Sequence, residues 1–247
     1  MGNLLPAKTG QYLYAIALLA IGVIHLATGH FPAGLLPVPA TLPGKTILTY
    51  INGIAMILAA LWILLKPQGH QGPLAAALLW LLLLALVHLP LLLPHLDNGG
   101  EWAAALEIIA FLSGALVMTG MNKPGTGSTY IKTGQYLFAA TLIGFGILHY
   151  IYNDYIITLI PAWLPAKTFL SWLVLIAFFA AAFSLILGKL VKLAMYLLSA
   201  MFFIWVIILH LPRALDKQAE PECTSLFVAL AMSGMALIMY AAGKASK

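Results

Sequence analysis

Residues 73–93 read "PLAAALLWLLLLALVHLPLLL". The run carries no Lys, Arg, Asp or Glu. At 1.5 Å per residue it makes a helix about 30 Å long, the thickness of a bilayer's hydrocarbon core. Two residues break the pattern. His88 puts a polar ring where imidazole is costly, and Pro90 removes a backbone donor and frees a carbonyl one turn earlier. In lipid a freed carbonyl is tolerated where protein or water meets it. The motif therefore predicts a polar cavity, or a bend at that end of the helix.

The rest of the chain has the same character. Of 247 residues, 63% are apolar and 8% charged, and the mean hydropathy is +1.01. Soluble domains carry about 25% charged residues, so this chain is built for lipid. Eight apolar stretches are long enough to cross a bilayer: 11–29, 46–66, 74–95, 102–121, 134–152, 166–187, 191–211 and 224–242. Breaker clusters such as "KPQGHQGP" and "NKPGTGST" separate them. "GTGST" at 125–129 has neither the preceding strand nor the following Lys-Ser/Thr of a phosphate-binding loop. Cys223 is the single cysteine, which excludes an internal disulfide and a Cys-rich zinc site. The net charge of +5 sits at the borders of spans, so it speaks for topology and not for nucleic acid.

The chain repeats itself. "KTGQYLYAIALLAIGVIHL" at 8–26 aligns with "KTGQYLFAATLIGFGILHY" at 132–150. "LVHLP" then aligns with "ILHLPR", and "FLSGALVM" with "AMSGMALIM". The expected fold is all-α: eight transmembrane helices as two parallel tandem four-helix repeats, 1–122 and 123–247. The first span has a counterpart deep in the chain, so it is expected to be a retained helix and not a cleaved signal. Eight lysines (Lys8, Lys66, Lys123, Lys132, Lys189, Lys192, Lys244 and Lys247) fall on the side of the termini, against Lys45, Lys167, Arg213 and Lys217 on the other. That bias predicts both termini in the cytoplasm. All the acids, from Asp97 to Glu222, fall on or near the outer side.

The repeat also places four histidines, His25, His88, His149 and His210, at similar depth beneath the outer surface. Gly22 and Gly146 each precede a histidine by three, which puts small residues and imidazoles on one helix face, toward the bundle interior. Glu107 lies about one turn into the fourth span, near the depth of His88, with Glu101 as a cap of the same helix. Phe227 stands where Glu107 stands in the other copy. Imidazoles with a carboxylate suit a metal such as iron, copper or zinc, a haem or a proton relay. Membrane histidines also serve as packing contacts between helices. The tyrosines of "YIYNDY" mark the outer boundary, with Asn153 and Asp154 there as a candidate substrate lip, and Arg213 has Asp216, Glu222 or a lipid phosphate within reach.

"GVIHLATGHFPAGLLPVPATLP" and "GFGILHYIYNDYIITLIPAWLP" resemble the first-helix-and-loop signature of DoxX-like membrane proteins. "LHLPR", an acidic loop and "SLFVALAMSG" are similar to the distal half of the same four-helix unit. The resemblance covers nearly the whole chain as two units where one is usual. It implies a link to quinone-dependent membrane redox complexes, and it assigns no catalytic residue. Two functions are therefore carried forward. One is a redox-linked membrane component whose pocket of His25, His88, His149, His210 and Glu107 binds a quinone or metal cofactor, beside another membrane redox protein. The other is a non-enzymatic carrier of a lipid or small molecule, or a scaffold, with structural histidines. Whether the protein is an enzyme stays open.

Overall fold

The computed structural model describes residues 4–243, and within them every regular element is a helix. Eight are long and apolar enough to cross a membrane, which makes this an integral membrane protein. They are α1 (Leu4–Thr28), α2 (Lys45–Leu65), α3 (Gln71–Leu92), α4 (Gly99–Asn122), α5 (Gly127–Ile151), α6 (Lys167–Leu187), α7 (Val191–Lys217) and α8 (Glu220–Ala242).

Every expected span is present, and the differences lie at the ends. α1 begins at Leu4, well before residue 11, because Pro6 falls in its first turn, where a missing N–H costs nothing. α7 continues through Pro212 to Lys217. α4 is capped by Asn98, whose side chain accepts from the N–H groups of Gly100 (2.9 Å) and Glu101 (3.4 Å). The expected cap, Glu101, lies in the first helical turn. "YIYNDY" opens a short helix, Asn153–Leu159, that buries none of its residues. Arg213 takes neither of its expected acidic partners; its guanidinium donates to the Leu159 carbonyl at the end of that helix. Glu222 pairs with Lys217 instead.

Helix packing follows a repeating order. The neighbours α1–α2, α2–α3 and α3–α4 recur as α5–α6, α6–α7 and α7–α8. The halves meet through α4–α5 and α8–α1, with α4 against α8 at the centre. In the most apolar window of α4, 78% of residues are buried, against 22% in α3, so α4 is the inner post and α3 faces lipid along most of its surface. Close backbone approach fixes the α1–α8 crossing. A Cβ on Gly10 would lie 2.7 Å from the Gly234 carbonyl oxygen. Small residues of this kind let membrane helices pack where the hydrophobic effect offers no drive.

The loop between α1 and α2 folds back into the first half. Leu35 and Leu36 are fully buried, and Lys45 Nζ donates to the Val38 carbonyl (2.8 Å), which ties the loop to the start of α2.

Candidate functional site

The "HLP" motif gains a structural explanation that its sequence does not spell out. Leu84–His88 and Val206–His210 are both π-helical turns, and each ends on the histidine. The N–H of Leu89 reaches the carbonyl of Leu84, and that of Leu211 reaches Val206, five residues back in both cases. Widening the helix just before Pro90 and Pro212 gives room to rings that would otherwise strike the preceding turn. The expected bend is thus a one-residue bulge, made twice.

The bulge also aims His88. In a regular α-helix, eight residues from Trp80 would leave His88 about 80° off the Trp80 face; one extra residue absorbed in the bulge brings it back after about two turns. His88 is 1% exposed, while Leu86, two residues earlier, is 72% exposed to the lipid side. Neither His88 ring nitrogen has a hydrogen-bond partner among the described residues.

His25 is placed differently. It is fully buried, and both of its nitrogens are engaged. Nδ1 lies 2.8 Å from the Ile21 carbonyl, so it carries the proton, and Nε2 then accepts from the Asn52 amide at 3.0 Å. Gly22 makes this possible: a Cβ there would fall 2.8 Å from the Gly53 carbonyl oxygen, so α1 and α2 touch beside the ring. Phe31 from the tucked loop sits edge-on to the imidazole at 5.5 Å.

In the second half, His149 meets Phe178 edge-on at 5.3 Å, and its Nε2 has no partner. A Cβ on Gly146 would strike the Phe179 ring at 2.8 Å, so an aromatic side chain, not a helix backbone, uses that space. His210 is half-buried on α7.

The four imidazoles do not form a shared metal centre. Among the described residues no three His, Cys, Asp or Glu side chains are grouped to hold an ion. His25 has no lone pair left to ligate one. The donor set does not fit a resident metal.

Below His88 lies a buried polar knot that the sequence reading missed. Trp80 Nε1 donates to the Tyr14 hydroxyl (2.9 Å), which donates to the Phe111 carbonyl (3.0 Å). The Trp80 and Phe111 rings stack at 4.5 Å. Ala104, Glu107 and Phe111 share one stripe of α4 by their three- and four-residue spacing. Glu107 thus stands about one turn from this knot toward the Asn98 end of α4, and it is half-buried with no ion pair. One turn further, Ala104 lines a cavity of about 270 Å³ with Ala33, Gly34, Pro37, Asn98, Gly100 and Glu101. Glu101 Oε2 is buried without a partner. Asn153, the other boundary residue singled out, donates to Ser171 Oγ (2.8 Å) and so serves packing. Asn52 had a sequence signal, an amide inside the apolar run "TYINGIAM"; Tyr14 and Trp80 had none, being ordinary in a span.

Comparison with known protein families, characterised proteins and solved structures finds no match. Fold and composition together define an all-helical integral membrane protein.

Proposed function

We propose that this is a DoxX-like protein of a bacterial cytoplasmic membrane, with both termini in the cytoplasm and its histidines near the outer leaflet. In this reading it is a redox-linked membrane component that binds a quinone-class molecule, an apolar ring with a carbonyl or hydroxyl head, and presents it to a partner redox protein. The observation that carries it is His88: a buried imidazole with two unpartnered nitrogens, turned inward by a π-turn. An unmet polar group in an apolar interior costs about 1–3 kcal/mol, and a ligand head that accepts from one nitrogen or donates to the other recovers it. π-turns recur at functional sites because they re-aim a side chain. The protein's own part is to bind and orient.

The test is direct binding. The purified protein in nanodiscs is titrated with a short-chain ubiquinone analogue, reading quenching of tryptophan emission. Saturable binding is expected, weakened about tenfold or more in His88→Leu, which corresponds to about 1.4 kcal/mol. Absence of saturable binding, or equal binding by His88→Leu, overturns the reading. The carrier-or-scaffold reading gains from His25, whose two hydrogen bonds join α1 to α2 and leave nothing for a ligand. Equal binding by His88→Leu would favour it.

A further inference from the structure

The internal sequence match pairs positions of the two halves, and at four interior positions a polar side chain faces an apolar counterpart. Tyr14 pairs with Phe138 by the shared "KTGQYL" start, and Trp80 with Phe202, each eight residues before its HLP histidine. Asn52 pairs with Val174, each seven residues after Lys45 or Lys167, and Glu107 with Phe227, each six residues before a Ser-Gly pair. These four polar side chains of the first half thus have apolar counterparts, while His25 and His88 keep histidines, His149 and His210, at theirs. One counterpart, Phe202, joins an aromatic cluster: it lies 5.9 Å from Phe178 and edge-on to Trp205 at 6.0 Å, and Phe178 lies 5.9 Å from Phe145. The buried serines Ser199 and Ser233 satisfy each other, each hydroxyl donating to the other's carbonyl at 3.0 Å. The cavity lined by Glu101 and Ala104 belongs to the first half.

We infer that the halves have parted in chemistry: each chain holds one ligand site, in its N-terminal half, where His88 and Glu107 meet the ligand's polar head above the Tyr14–Trp80–Phe111 floor, and the C-terminal half is its aromatic-filled counterpart. The ligand class rests on the reading given above; the placement of the site does not. The proposed entry is the open cleft at the Asn98 end lined by Ala104 and Glu101, one turn from Glu107, whose volume of about 270 Å³ is on the scale of a single-ring head.

Two experiments test the inference. First, the stoichiometry of the quinone analogue is measured by equilibrium dialysis. One per chain is expected, lost in His88→Leu, weakened about tenfold in Glu107→Leu, and retained in the double variant His149→Leu/His210→Leu. Two per chain, or loss in the double variant, overturns it. Second, and without any ligand, single cysteines are placed in a Cys223→Ser background at Ala104 and at Thr224, which stands three residues before Phe227 as Ala104 stands before Glu107. A small membrane-impermeant thiol reagent added from the outer side is expected to label Ala104→Cys about tenfold faster than Thr224→Cys, because access governs thiol reactivity. Equal rates overturn the inference. If the analogue does not bind at all, the ligand reading falls, and the labelling rates still decide where the open chamber lies.

Discussion

His25 and His88 are expected at similar depth and stand in opposite situations. One ring is held by a backbone carbonyl and an amide, and the other meets no polar atom. The difference comes from Asn52, which can reach His25 because Gly22 and Gly53 bring their helices together. The flanking residues differ, Gly22 before His25 and Pro90 after His88, but the residue that engages His25 lies on another helix. The Tyr14–Trp80 pair is a second case. Tyr14→Phe is isosteric with Phe138 but leaves the Trp80 N–H buried and unpaired, and is expected to destabilise the protein by about 1–2 kcal/mol. Adding Trp80→Phe removes the orphan donor, and the double variant is expected to recover part of that loss. Unfolding in mixed micelles with increasing SDS reads both. A double variant less stable than the sum of the singles would mean that the hydroxyl matters for packing and not for pairing.

At the scale of the element, length and hydropathy made the eight spans legible, because a lipid solvent leaves few choices: every backbone group must be bonded within the segment. Less visible was how α3 and α7 absorb a proline. The sequence offers a proline and a histidine, while the bulge is a property of the hydrogen-bond ladder. Deleting Leu86, which faces lipid, removes the extra residue and keeps His88 near the Trp80 face, but returns Pro90 to a tight α-helix. That deletion is expected to cost about 3 kcal/mol, the penalty of an interior proline, and combining it with Pro90→Ala should restore most of it. SDS-induced unfolding again provides the measure. If the deletion alone is harmless, proline is not the reason for the π-turn. The Asn153–Leu159 helix also escaped the sequence reading, because seven residues at an interface carry too little periodicity to signal a helix.

For the whole molecule, the sequence match implied a duplicated plan, and the packing order of the second half follows that of the first. What it did not convey is how asymmetric the interiors are: an aromatic ring is ordinary at either position in a span, and the hydrogen bonds separate Trp80 from Phe202. The halves also share large faces, α4 with α5 and α8 with α1. Chains 1–122 and 123–247, expressed together as separate polypeptides, are therefore expected to assemble and co-purify, while either alone exposes the α1 and α4 faces, or those of α5 and α8, and is degraded. Accumulation of a stable lone half would show that the inter-half faces are not needed for folding.

The two junctions between the halves are drawn to backbone contact: a Cβ on Gly10 would touch the Gly234 carbonyl at 2.7 Å, and one on Gly134 would touch that of Ser113 at 2.6 Å. Seams that close exclude acyl chains. A molecule dissolved in the bilayer thus has no lateral door between one half and the other, and any sideways traffic must part helices that belong to the same half.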